Sequence, residues 1–172
     1  MKVTVIAACV LAALTAASPA AAQGISELRL SQAVARVVHE DPQITIFDHV
    51  DFRVEGSTVV LDGQVTTPGK KAAIERKTAG VDGVTAIKTA ITVLPASPSD
   101  DDLRRRIARA IYGNPAFWSY AAMSNPPIHI IVDHGRVTLR GCVNTAGERT
   151  MARSLASGVA EGAVTDELVI NR

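Results

Sequence analysis

The sequence predicts an α+β fold of two tandem α-β-β-α-β modules, each a small three-stranded mixed sheet packed against two helices. Three observations carry this expectation. Residues 28–94 and 103–170 run through the same succession of helical and alternating patterns. Each copy places a glycine at a tight turn, Gly56 and Gly135, and another late in the following strand, Gly63 and Gly141. Between the copies, Pro95-Ala96-Ser97-Pro98-Ser99-Asp100 has the composition of a linker. The expected division is a signal peptide over 1–22, a first module over 26–94, a linker over 95–100 and a second module over 101–172.

The start of the chain is a targeting pattern. Lys2 supplies one positive charge, the run from Val5 to Leu14 has none, and Ala20-Ala21-Ala22 is a small-residue cleavage site before Gln23. The apolar run is short for a membrane span, which needs ~20 residues. Ile6-Ala7-Ala8-Cys9 superficially resembles a lipidation site, but the apolar run continues past Cys9 to the better cleavage site. Cleavage leaves Cys142 as the sole cysteine, so no internal disulfide is available and the cores must suffice. It also removes Lys2, which takes Lys plus Arg from 18 to 17, equal to the 17 Asp plus Glu. That balance argues against nucleic acid as a partner, since general phosphate binding needs a basic excess.

In the first copy, Leu28 to His39 reads as a helix closed by Asp41-Pro42. Val50–Val54 and Thr58–Val65 alternate as a half-buried hairpin around Glu55-Gly56-Ser57. Thr67-Pro68 opens a second helix, proline being suited to the first helical position, and 84–94 is the closing strand. In the second copy, Ser99 reads as an N-cap, with Asp100, Asp101 and Asp102 complementing the helix dipole of 103–112. Ile128–Val132 and Arg136–Val143 form the hairpin, and Thr145 with Glu148 fits a capping box. The last strand is 163–170. Glycine late in a strand marks a bulge or a close backbone approach, the expected role of Gly63 and Gly141.

On Gly56, Leu61, Gly63, Val65, Gly83, Val84 and Ile87, and again on Gly135, Val137, Leu139, Gly141 and Val143, the chain resembles the BON domain family. The second copy departs from the pattern at Ala160-Glu161-Gly162-Ala163-Val164, where the Gly-Val before the last strand is missing. The resemblance implies a periplasmic or cell-envelope protein of the kind induced by osmotic stress, with phospholipid-binding modules, no catalytic residues and no cofactor.

The residues themselves point the same way. His39, His49, His129 and His134 fall in no metal-ligand spacing, no phosphate loop is present, and no nucleophile and base stand together. The helix of the second copy is amphipathic and basic, with Arg104, Arg105 and Arg109. The longer loop after it holds Phe117, Trp118 and Tyr120, including the chain's only tryptophan. Aromatics beside arginines suit an anionic phospholipid or membrane surface, and these six residues are the candidate lipid-binding set. The same aromatics equally suit covering the sheet of a module short of core. A periplasmic peptide- or protein-binding adaptor, with envelope proteins as partners, is the competing function.

Overall fold

The computed structural model describes the backbone of residues 19–171 and the side chains of residues 26–171. The expected signal peptide, including Cys9, lies outside the described residues as far as position 18. The first module runs α1 (Pro19–His39), β1 (His49–Glu55), β2 (Thr58–Val65), α2 (Pro68–Ala79) and β3 (Ala86–Val93). The second runs α3 (Pro98–Tyr112), a short 3-10 turn (Pro115–Phe117), α4 (Trp118–Ala121), β4 (Ile128–Asp133), β5 (Arg136–Val143), α5 (Ala146–Ser157) and β6 (Val164–Ile170). Each sheet has the middle strand of its module at the centre, antiparallel to the strand before it and parallel to the strand after the second helix. A parallel return needs a crossover, and α2 and α5 supply it.

Local chemistry sets the helix ends. Thr67 accepts the N–H of Lys70 ahead of Pro68, and Thr145 and Glu148 form the expected reciprocal capping box. Two boundaries differ from the sequence reading. The helix before β1 begins at Pro19 rather than Leu28. The cap of α3 is Ser97, whose hydroxyl accepts the N–H of Asp100, because Pro98 takes the first helical position and draws Ser99 inside the helix. Helix α3 therefore begins inside the expected linker.

Alternation puts one face of each sheet against its helices. Leu30, Val34 and Val38 recur every four residues along α1 and meet Val59, Leu61, Val65 and Ile91, with Ile74 of α2 closing the core. In the second module Ile107 and Ile111 of α3 and Ala152 and Ala156 of α5 pack on Ile128, Ile130, Leu139 and Leu168. Full burial of each large aliphatic side chain contributes about 1.5–3 kcal/mol, so two modules of this size stand without disulfides.

The late-strand glycines sit where a side chain has no room. Gly63 lies opposite Val50 with φ 134°, and a Cβ there would stand 2.1 Å from the carbonyl oxygen of His49. Gly141 lies opposite Ile128 with φ 103°, and its Cβ would stand 1.9 Å from the carbonyl oxygen of Pro127. Gly56, Gly83 and Gly135 also have positive φ.

The modules meet along one seam. The loop before β1 lies on the free edge of β4, where the N–H of Ile130 donates to the carbonyl of Ile46 at 2.7 Å, and Phe47 packs against the second core. Asn125 Nδ2 donates to the carbonyl of His39 at 2.7 Å. The faces of the two sheets turned away from their helices line a shared cleft, with Gln64 and Thr92 on one side and Ile131, Thr138 and Glu167 on the other.

Candidate functional site

Helix α3 carries its arginines on different sides, and tertiary contacts separate them. Arg104 is only 2% exposed; its guanidinium donates to the carbonyl of Val132 on β4 and to the carboxylate of Asp101. It is a buried strut between helix and sheet, and its assignment to a lipid-binding set is corrected on that ground. Arg105 and Arg106 project into solvent and share Asp102, at 3.6 and 3.9 Å. Exposed pairs of this kind contribute little, but the Arg106 guanidinium also donates to the carbonyl of Val159 at 3.1 Å, so Arg105 is the freer of the two. Arg109 is exposed and has no ion pair among the described residues.

The insertion after α3 is folded rather than loose. Asn114 accepts the N–H of Ala116 and starts the 3-10 turn, which delivers Phe117 into the core with no exposure. One turn of α4 then buries Tyr120. Its hydroxyl donates to Glu148 at 2.8 Å and accepts the N–H of Asn144 at 2.9 Å, tying the insertion to the cap of α5. Burial, and then the hydrogen bond to Glu148, raise the Tyr120 phenol above its usual range. Glu148 itself is lowered: burial acts to raise it, but the donors Tyr120, Asn144 and Thr145 outweigh that effect. Phe117 and Tyr120 are thus core residues, which corrects their place in the candidate set.

Trp118 differs from its neighbours. It is 64% exposed at the start of α4, which packs on α3, and Met123 beyond it is 47% exposed. The core is complete without this indole. What remains of the candidate set is Arg105, Arg109 and Trp118, joined by Met123. The run of three arginines, Arg104 to Arg106, does not itself say which one turns inward. Among the described residues, no three His, Cys, Asp or Glu side chains are placed to hold a metal ion, and no helix is long and apolar enough to cross a membrane.

The twice-repeated α-β-β-α-β unit sets the class: a protein of two small tandem α+β modules. A family model for the BON domain matches the chain twice, over residues 26–95 and 99–172, and the chain belongs to this family. BON domains are non-catalytic binding domains, and membership makes this an envelope-associated protein. No curated protein matches the chain. Among solved structures it is similar to CdsD, a structural protein of the type III secretion system of Chlamydia trachomatis, with 13% identity over 83% of this chain and 92% of that one and a TM-score of 0.31. A structure of the C-terminal domain of CdsD matches with 12% identity over 84% and 98% of the respective chains, also with a TM-score of 0.31.

Proposed function

We propose that this is a non-enzymatic periplasmic protein of the envelope stress response whose second module binds the anionic surface of a phospholipid membrane. The observation that carries the reading is Trp118: a large apolar ring, 64% exposed, on a turn packed against the helix that presents Arg105 and Arg109. An indole suits the headgroup layer, where its ring meets acyl chain and its N–H meets carbonyl or water. The guanidinium groups of the neighbouring helix would pair with lipid phosphates bidentately, as a lysine cannot. The first module has no matching combination on α1.

Vesicle sedimentation tests the reading. Binding to anionic vesicles is expected to weaken as salt rises, because exposed charges separated by more than about 8 Å are screened at physiological ionic strength. Each basic contact with an anionic surface is worth about 1 kcal/mol, so Arg105→Ala with Arg109→Ala is expected to weaken binding roughly tenfold or more. Trp118→Ala is expected to weaken it while changing stability by no more than about 0.5 kcal/mol, as for other exposed positions. Binding that ignores salt and both sets of substitutions would favour the peptide-binding adaptor.

A further inference from the structure

The seam between the modules contains a histidine contact that neither the fold nor the lipid reading uses. The ring of His49, at the start of β1, meets the ring of His129, on β4, edge-on with centroids 5.2 Å apart. His49 Nε2 lies 3.0 Å from the carboxylate of Asp51 and is oriented by it. The Nδ1 atom of His129 is buried and has no hydrogen-bond partner. In the imidazolium both nitrogens are donors, and protonation would put a charge in this buried position beside a second imidazole, a cost that exceeds what the backbone carbonyls of Asp48 and Thr45 return by accepting from the ring. We propose that the His49–His129 contact is a pH-sensitive latch between the modules, closed at neutral pH and released by mild acid.

The surroundings of the latch set its sign. Around the same cleft stand His39 at the end of α1, Asp51 and Asp62 on the first sheet, and Arg140 and Glu167 on the second. Arg140 and Glu167 neutralise each other at 2.7 Å. Asp48 lies behind the loop, where Lys70 and Thr66 hold its carboxylate. Burial, followed by the neighbouring His49, lowers His129 below the ordinary imidazole range, against the backbone carbonyls of Asp48 and Thr45, which accept from the ring, and the charge of Asp48. His39 is lowered by burial and by His49, against Asp51. An opened seam returns the His129 ring to water and to a value near 6.5, whereas His39 stays against Phe52 of its own module. Opening therefore takes up a proton: the docked state keeps its full advantage above about pH 6.5 and loses it as pH falls toward the depressed docked value.

The amide of Ile130, bonded across the seam to Ile46, reports docking directly. Hydrogen exchange on the full chain is expected to show its protection factor falling about tenfold between pH 7.5 and 5.5, the effect of one linked proton over the pH unit below 6.5, while amides of β5 keep theirs. His129→Gln, which cannot take the charge, is expected to hold Ile130 protection nearly level. Protection in the natural protein that does not change over this range, or that falls equally in His129→Gln, overturns the latch. A second measurement needs no substitution: the ring protons of His129 are expected to titrate below pH 6.5, and a midpoint at or above that value overturns the proposal.

Discussion

Asp100 Oδ1 accepts the N–H of Gly135 at 2.9 Å while its other oxygen accepts the N–H of His134 at 3.0 Å, so one carboxylate at the start of α3 clips the β4–β5 turn. His134 has φ 51°, an unfavourable region for a non-glycine residue. The clip holds it there. Asp100→Ala removes two charge-assisted hydrogen bonds, leaving the N–H groups of the exposed turn to water, and is expected to destabilise the second module by about 2 kcal/mol. Denaturant unfolding checks this, and the first module is expected to keep its own stability.

Gly63→Val and Gly141→Val are expected to destabilise their own modules by about 3 kcal/mol or more, because each forces a side chain into a backbone carbonyl at a positive φ. Hydrogen exchange resolved by module shows which core opens. Equal loss of protection in both modules from either substitution would mean that the seam makes them one cooperative unit.

Asp48 is fully buried and accepts from Lys70 at 2.6 Å, from Thr45 and from the N–H and hydroxyl of Thr66. Burial alone would raise its carboxyl, but these donors, Lys70 foremost, bring it below the usual carboxylate range. The folded value is depressed, so its contribution to stability is present above about pH 4 and is lost as pH falls through the lower folded value. Asp48→Asn is expected to cost about 3 to 5 kcal/mol at neutral pH, the range for breaking a buried ion pair. Unfolding midpoints of the variant and the natural protein are expected to converge in strong acid.

The features legible in the sequence are those set by neighbours along the chain. Thr67-Pro68 and Thr145 with Glu148 announce their helices, and the paired glycines announce a turn and a crowded strand. Ser97 rather than the expected Ser99 caps α3, because the proline between them sets which serine stands outside the helix. The fates of Arg104, Phe117 and Tyr120 depend on β4 and the cap of α5, which are distant in sequence, so a run of arginines followed by aromatics looks uniform until the module closes. The histidine contact was invisible for the same reason: His49 and His129 meet only once the first loop lies on the edge of β4.

Trp118 is the only tryptophan, so the intrinsic fluorescence of the protein reports this one position. Titrating the protein with anionic phospholipid vesicles is therefore the most direct test of a membrane-facing second module. The expected result is a shift of the emission to shorter wavelength as the ring leaves water, reversed by salt and absent with zwitterionic vesicles. Emission that stays at its solvent-exposed position while the protein sediments with the vesicles would contradict the account, because the membrane would then be held by another surface.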